Sequence, residues 1–421
     1  MSPAGGRAAA GTPSVLRRMN SALILDVIRR DGPLSRADIA RASGLSKPTV
    51  NEVVELLLAG PYVEEAAAPA GGDGAGDRPR RPGPRARLLR FRADVAHVLG
   101  IDVGAAKLVV DVADLSGRVV ASERRPLSAR ARAGHAAVLR EVSAAARAAL
   151  RGTGIDAGAL RAAGVGTPGV VAPDTGRITL APQLEGWEGL DLGGELERDI
   201  GCPVVVDNET NLSLLAEAEH GVARGVPDVL YVQAGVGIGG AMLVGGELVR
   251  GSHGAAGEIG YLPGDDEPEA PEFGAGRFEW AAGGRAYARL GAHAAAARGG
   301  KVLRELAAGD PAAVTAETVF AAAAGGDRAA ARVVATLTAR LGRGIAAAAT
   351  VLDPDLVVLG GGLANAGPAL LEPVRRAVAE HTPVPPRVEL STLGDASVAL
   401  GAVRLALNAA DANLFAFAAA I

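Results

Sequence analysis

Apolar and polar positions alternate with helical periods over the first sixty residues. After a leader at residues 1–13, expected to be disordered, apolar residues recur at spacings of three and four, which predicts a helix with a single apolar face. The members of that face are Val15, Leu16, Met19, Leu23, Ile24, Val27 and Ile28. Asp31-Gly32-Pro33 ends the pattern, and Ser35 is placed to cap a second helix, with Asp38 at the distance of a capping box.

A third helix is predicted to begin after Ser46, with Pro48 in its first turn, where a missing amide hydrogen costs nothing. Gly44 supplies the turn between the second and third helices. Two helices joined in this way predict a helix-turn-helix whose second helix enters the major groove. The residues that would then face DNA are Ser46, Lys47, Thr49 and Asn51. The alternative is an ordinary helix hairpin on a protein surface.

Two short apolar runs follow, at Tyr62–Glu65 and Arg87–Phe91, and they predict a β-hairpin. The Gly-, Ala- and Pro-rich segment between them carries Arg78, Arg80, Arg81 and Arg85. Such a basic tip suits a minor groove or its flanking phosphates, so the hairpin is interpreted as the wing of a winged helix spanning residues 14–92. A solvated linker is the alternative for the arginine segment.

From His97 onward the pattern changes to short Val, Ile and Leu runs, glycine turns and alanine-rich stretches, which predicts an α/β domain over residues 93–421. Strand hairpins are expected at 97–112 and 230–240, and single strands are expected to end near 163–169 and 203–209.

Composition narrows the class of protein. A chain of 421 residues suggests two or three domains, and 49% hydrophobic against 21% charged residues excludes general disorder. One cysteine, Cys202, excludes an internal disulfide or a multi-thiolate metal site. Because no apolar stretch matches a membrane span and no signal peptide is evident, a cytoplasmic protein without a membrane partner is expected.

Charge is distributed unevenly along the chain. Residues 1–92 hold 15 Arg and Lys against 9 Asp and Glu, a net charge of +6, whereas residues 93–421 carry −10 of the total of −4. The basic end is therefore the candidate for polyanion contact.

The large module also contains two glycine-rich motifs, at Gly251–Gly260 (GSHGAAGEIG) and at Asp353–Gly362 (DPDLVVLGGG). In this order, and behind a winged helix, they resemble the ROK family of repressors, open reading frames and sugar kinases, over nearly the whole chain. The resemblance implies a two-lobed, actin-like ATPase fold and favours the repressor branch, in which sugar binding alters DNA affinity.

The same resemblance assigns the sugar contacts to Asn208, Glu209, Glu258, Tyr261 and Glu279. Carboxylates that accept pairs of hydroxyl hydrogen bonds suit a polyol, and an asparagine amide both donates and accepts. The alternatives are surface carboxylates at Glu258 and Glu279, and a packing role for Tyr261.

Departures from the enzyme pattern predict an inactive kinase module that needs no cofactor. Glu209 stands where active members carry the catalytic aspartate, and its extra methylene displaces the carboxylate by about 1 Å. Ala105-Ala106 and Val236 replace hydroxyl residues of the two phosphate hairpins. The remaining vestigial phosphate-binding positions are Asp102, Gly104, Lys107, Gly235 and Gly237. A solvated or lobe-packing role is the alternative for Lys107.

Family members commonly bind zinc through a histidine and a cysteine cluster. Tyr261 occupies the histidine position, and residues 263–277 contain no Cys or His, so no metal is predicted. Cys202 is expected to be an inert buried thiol, and Trp187 is expected to pack in the core. For Trp280, stacking on a sugar and packing in the core are both open.

These features together predict a sugar-responsive transcriptional regulator, most readily a repressor. Its expected partners are double-stranded operator DNA, a small carbohydrate or sugar phosphate, and a second copy of itself in a homodimer or higher oligomer. Two other functions remain open: an active ATP-dependent sugar kinase that also binds DNA, and a DNA-binding protein whose large module is only a dimerisation scaffold.

Overall fold

The computed structural model describes residues 13–66, 87–104, 107–127, 134–181, 186–264, 271, 274–297 and 299–418. In the amino-terminal head, the described residues 13–66 and 87–92 form three helices and a small antiparallel sheet in the strand order β1-β3-β2. Its elements are α1 (Pro13–Asp31), β1 (Leu34–Ser35), α2 (Arg36–Ser43), α3 (Lys47–Ala59), β2 (Val63–Ala66) and β3 (Leu88–Phe91). The predicted winged helix-turn-helix is confirmed, including the pairing of Val63 with Phe91 in the wing.

Local hydrogen bonds set the geometry of the helix-turn-helix. The Ser35 hydroxyl accepts from the Asp38 amide while the Asp38 carboxylate accepts from the Ser35 amide, which completes the predicted capping box. Gly44 follows α2 with a φ of 69°, a left-handed conformation that favours glycine. Ser46 then caps α3 by accepting from the Thr49 amide. The first turn of α3 is thereby held at the surface.

The predicted helix α1 is present, but its apolar face is buried only in part. Ile24, Val27 and Ile28 are buried. Leu16, Met19 and Leu23 are 53%, 63% and 40% exposed. The apolar arc of α1 is wider than the surface that α2, α3 and the carboxy-terminal helix cover.

Lobe 1 of the large module is a five-stranded sheet in the order β10-β7-β4-β5-β6. Its elements are β4 (His97–Val103), β5 (Lys107–Asp114), β6 (Val119–Pro126), α4 (His135–Arg151), β7 (Leu160–Thr167), β8 (Val170–Val171), β9 (Ile178–Leu180), α5 (Leu192–Ile200) and β10 (Val204–Asn208). The strands β4, β7 and β10 run parallel, and β4, β5 and β6 form antiparallel hairpins.

Helix α6 (Glu209–His220) leads from lobe 1 into lobe 2. Lobe 2 contains β11 (Val229–Ala234), β12 (Ile238–Val244), β13 (Glu247–Leu248), α7 (Arg277–Ala282), α8 (Gly284–Ala296), α9 (Lys301–Leu306), α10 (Ala316–Ala324), α11 (Arg328–Leu352), β14 (Leu356–Gly360), α12 (Pro368–His381) and β15 (Arg387–Leu390). The chain then returns to lobe 1 through α13 (Ser397–Ala418), which packs on β4 and β7.

The two lobes repeat one topology. The sheet of lobe 2 has the order β13-β12-β11-β14-β15, and each sheet joins an antiparallel meander to two parallel strands. This duplication is the two-lobed, actin-like arrangement predicted for residues 93–421. It brings the glycine turns after β4 and β11, together with the end of β10, toward the cleft between the lobes.

Several single-residue predictions concern the cores of the lobes. Trp187 is buried in the core of lobe 1, and so is Cys202, where burial raises the pKa of the thiol to about 11. The predicted burial of both residues is confirmed. Within the described ranges, no helix combines the length and apolar composition needed to cross a membrane.

Candidate functional site

A cavity of about 290 Å³ lies between the two lobes. Lobe 1 contributes the end of β10 and the start of α6, and lobe 2 contributes the β11–β12 turn and the segment around Glu258. All five residues assigned to sugar line this cavity: Asn208, Glu209, Glu258, Tyr261 and Glu279. The structure therefore gathers into one cleft residues that are separated by up to 71 positions in the chain.

Asn208 is held by its own backbone surroundings. Its side-chain Oδ1 accepts from the Thr210 amide at 2.7 Å, which caps α6, and its Nδ2 donates to the Gly169 carbonyl at 2.7 Å. Because an asparagine amide has two donor hydrogens and two acceptor lone pairs, one of each remains for a ligand.

Glu209 opens α6 on the floor of the cavity. Burial raises the pKa of its carboxyl to about 7, with the neighbouring Asp102 carboxylate contributing in the same direction. Burial likewise raises the pKa of Asp102 to about 6, against the opposing effect of the Lys107 ammonium. Both groups thus change charge close to neutral pH.

Glu258 and Glu279 are half-buried on the lobe 2 side, which argues against the alternative of surface carboxylates. Burial is the main cause of the raised pKa of Glu258, and the Glu279 carboxylate adds to it. The Oε2 of Glu279 accepts from the Ile238 amide at 3.2 Å, so this side chain is anchored to the first residue of β12.

Tyr261 stands at the rim of the cavity with half of its surface exposed. Its hydroxyl donates to the Gly274 carbonyl at 2.9 Å. It is therefore no core residue. Trp280 does not line the cavity: it is buried, with the Arg289 guanidinium 4.2 Å from its ring centroid, which resolves the open alternative in favour of the core.

An ion pair that the sequence reasoning missed joins the lobes beside the cavity. The buried Asp207 accepts from Arg250 Nε at 2.8 Å and from Arg250 Nη2 at 2.7 Å. The other oxygen of Asp207 accepts from the Asn208 amide and from the Asn211 side chain. Asp207 thus positions Asn208 and holds the segment that precedes Gly251. The feature of the sequence that could have indicated this ion pair is the acidic residue Asp207 directly before Asn208.

The phosphate side of the cleft is arranged differently. Lys107 Nζ lies 3.6 Å from Asp102 Oδ2 and 3.2 Å from Asp395 Oδ1, and it also donates to the Asp395 carbonyl. Gly104 lies in the β4–β5 turn, and Ala105 and Ala106 fall outside the described residues. In the second hairpin, Gly235 and Gly237 flank Val236, whose side chain is 63% exposed. The ammonium group of Lys107 is thus paired with the carboxylates of Asp102 and Asp395.

A second cavity, of about 600 Å³, adjoins the first and shares Gly235 and Val236 with it. Its lining is mainly apolar and includes Val314, Phe320 and Leu363. Such a surface suits a nucleotide base, but Val236, which lines both cavities, offers no hydroxyl for its phosphates. The other phosphate hairpin carries Ala106 in place of a hydroxyl residue. The residues present therefore fit the base better than the phosphates of ATP.

Among the described residues, no three His, Cys, Asp or Glu side chains gather as metal ligands. The absence of a zinc site stays a prediction, because part of 263–277 lies outside those residues.

The candidate DNA face lies at the start of α3. Lys47 and Asn51 are exposed, while the hydroxyls of Ser46 and Thr49 lie 2.8 Å apart within the helix cap. In the wing, Arg87 pairs with Glu65 and Arg90 pairs with Glu64. The four tip arginines, Arg78, Arg80, Arg81 and Arg85, lie outside the described residues.

Comparisons with known proteins agree with this arrangement. A winged helix-turn-helix DNA-binding model matches residues 23–59, and the ROK family model matches residues 98–409. The xylose repressor of Caldicellulosiruptor bescii is 25% identical over 403 residues, which span 94% of this chain and 98% of that protein.

Solved structures are similar as well, including a regulator and a glucokinase. A ROK family transcriptional regulator, a homologue of the Escherichia coli MLC protein, shares the fold with a TM-score of 0.74 at 20% identity, over 96% of this chain and 99% of its own. A ROK family glucokinase from Streptomyces griseus, in complex with glucose and AMPPNP, is 27% identical with a TM-score of 0.65, over 74% of this chain and 100% of its own. The chain belongs to the ROK family and carries an amino-terminal winged helix-turn-helix domain.

Proposed function

We propose that this protein is a sugar-responsive transcriptional repressor. The head binds operator DNA through the first turn of α3, and the cleft between the lobes binds the effector. The observation that carries the proposal is that one chain holds both an exposed first turn of α3 and a cleft lined by three glutamates. A relative named as a xylose repressor matches this chain over 94% of its length, which supports the same interpretation.

On the DNA, Lys47 contacts phosphate or guanine and Asn51 contacts adenine through its amide. Ser46 and Thr49 lie beside the phosphates, and the tip arginines of the wing reach the adjacent minor groove. A homodimer supplies two heads for two half-sites, about 34–36 Å apart for one helical turn.

The effector is an uncharged sugar rather than a sugar phosphate. The described residues that line the cavity include three glutamates, Glu209, Glu258 and Glu279, and no Lys, Arg or His. A phosphate charge about 4 Å from one carboxylate would be opposed by about 4 kcal/mol at an effective dielectric constant of about 20. Sugar hydroxyls instead donate to these carboxylates, which favours a neutral polyol.

The kinase reaction is proposed to be weak or absent. Glu209 places its carboxylate about 1 Å from the aspartate position, and a displacement of this size costs about a hundredfold in rate. Lys107 is already paired with Asp102 and Asp395. A phosphoryl group entering the cleft would therefore meet neither hairpin hydroxyls nor a free ammonium.

An active sugar kinase is the second candidate, and one observation favours it. A pKa of about 7 for Glu209 is well placed for a general base at neutral pH. Incubation with ATP, magnesium and D-glucose tests this candidate. Turnover near 1 per second or above is ordinary for an enzyme and would overturn the proposal that the kinase reaction is weak or absent.

The main experiment measures DNA affinity with and without sugar. An operator selected from random duplex DNA is titrated with the full chain in the absence and presence of D-xylose, D-glucose or D-glucose 6-phosphate. We expect a neutral sugar to change the operator Kd by 5-fold or more, within the typical range of about 5- to 150-fold, and the phosphate ester to leave it unchanged.

The Asn51→Ala variant is the control for sequence reading, and it should lose selectivity at one base pair, at a cost of about 1–3 kcal/mol. If sugars bind but leave the operator Kd unchanged, the large module is a scaffold rather than a sensor.

A further inference from the structure

We propose that α13 is the rigid element that transmits sugar occupancy from the cleft to the DNA-binding head, through the ion pair between Arg29 and Asp411. The inference rests on the proposed function and names the route by which the two modules are coupled. It is carried by contacts at both ends of α13 and along its length.

At its amino-terminal end, α13 contacts the helix that opens at the sugar site. The buried Ser397 hydroxyl lies 3.1 Å from the hydroxyl of Ser213 on α6, one turn beyond Glu209. Asp395, two residues before α13, holds Lys107 of the phosphate hairpin. A shift of α6 or of this hairpin on sugar binding therefore acts directly on the start of α13.

At three glycine positions, the backbone of α13 lies close to the backbone of another element of the module. A Cβ atom added at Gly100 of β4 would lie 2.4 Å from the carbonyl oxygen of Ala399. A Cβ atom added at Gly164 of β7 would lie 2.1 Å from the carbonyl oxygen of Ala402. A Cβ added at Gly401 of α13 itself would lie 1.8 Å from the Leu212 carbonyl oxygen of α6. Close-packed contacts of this kind transmit displacement rather than absorb it.

At its far end, α13 is part of the core of the head. Val403, Ala406, Leu407 and Ala410 are buried in one cluster with α1 residues such as Ile24. The head is therefore packed against the module by a shared core.

An ion pair completes this end. Arg29 Nη1 lies 2.6 Å from Asp411 Oδ1, and the two side chains are 19% and 23% exposed. The Arg29 guanidinium also lies 5.8 Å from the ring centroid of Phe91, in wing strand β3. Arg29 thus connects α13 with both α1 and the wing.

The geometry gives the route a defined length. Ser397 and Asp411 are 14 positions apart on one helix, which corresponds to about 21 Å. A continuous helix of this length carries a tilt at the cleft to the position of α1, and α1 packs on the recognition helix α3. The orientation of α3 then follows the state of the cleft.

The test is the ratio of operator Kd values with and without D-xylose or D-glucose, whichever binds, in the full chain. We expect Arg29→Ala and Asp411→Ala each to reduce this ratio by at least threefold toward one, while the sugar Kd measured by calorimetry changes by less than twofold. The double charge swap, Arg29→Asp with Asp411→Arg, should restore much of the ratio. Arg198→Ala removes an exposed pair with Glu195 on α5 and should leave the ratio unchanged.

Two outcomes separate this route from the proposed function. A wild-type ratio of one despite sugar binding overturns the proposed function, and this route with it. A wild-type ratio above one that persists in both Arg29→Ala and Asp411→Ala overturns the route alone. Circular dichroism melting identifies a variant that fails to fold, in which case the charge swap decides between the outcomes.

Discussion

The sugar side and the phosphate side of the cleft meet at Gly235 and Val236, which also line the sugar cavity, yet the polar groups of the two sides differ in kind. On the sugar side, Glu209, Glu258 and Glu279 converge on one cavity. On the phosphate side, Lys107 is engaged by Asp102 and Asp395, and Val236 offers no hydroxyl. Under the proposed function, recognition of a sugar and stabilisation of a transferring phosphoryl group are separable within one fold.

The largest effect is expected from rebuilding the phosphate side. The triple variant Glu209→Asp, Ala106→Thr and Val236→Thr restores the aspartate and both hydroxyls, so ATP-dependent phosphorylation of D-glucose should rise by about a hundredfold. Because the sugar side is left with its other contacts, the sugar Kd should change by less than about threefold. A coupled assay of ADP release with magnesium measures the first quantity, and calorimetry measures the second.

The matched control is Val244→Thr, which places a threonine on an exposed valine of lobe 2 outside the cavity. It should leave both quantities unchanged. A triple variant that stays inactive would show that the phosphate side lacks more than these three groups. Rapid turnover by the unmodified chain would show that its phosphate side already supports phosphoryl transfer, which would overturn the contrast between the two sides.

An intermediate effect is expected from the sugar side. Glu258→Gln removes the charge from a half-buried acceptor, and hydrogen bonds to charged groups contribute about 1.5–3 kcal/mol. The affinity for the neutral sugar should therefore fall by about 10- to 100-fold in calorimetry. Glu247→Gln, on exposed β13, is the control. Equal sugar affinities for the two variants would remove Glu258 from the site.

Features encoded over a few residues are the ones that the sequence predicts well. The cap at Ser46, the turn at Gly44 and the strand that ends at Asn208 depend on neighbours within a few positions, and all three are present. The resemblance to a family added the grouping of Asn208, Glu258 and Glu279, which no local pattern contains.

Features that depend on distant partners could not be predicted in this way. Lys107 is separated by 288 positions from Asp395, and Arg29 by 382 positions from Asp411. The exposure of Met19 has the same origin, because periodicity shows that α1 has an apolar arc but not how much of it the neighbouring elements cover. The choice of partner is a property of tertiary packing.

The smallest expected effect is a change of thermal stability with pH. It tests Glu209, which lines the sugar cavity and interacts with Asp102 on the phosphate side. The pKa of Glu209 is raised to about 7, mainly by burial, with Asp102 adding to it and Lys107 opposing it. Since the fold favours the neutral carboxyl, its contribution to stability is complete below a pH of about 4.5 and is lost as the pH rises through about 7. Glu209→Gln removes this titration, so between pH 5 and pH 8 the melting temperature of the unmodified chain should fall by about 2 °C more than that of the variant. Glu247→Gln should follow the unmodified chain, and identical pH profiles for all three proteins would mean that Glu209 is already ionised within the cleft at acidic pH.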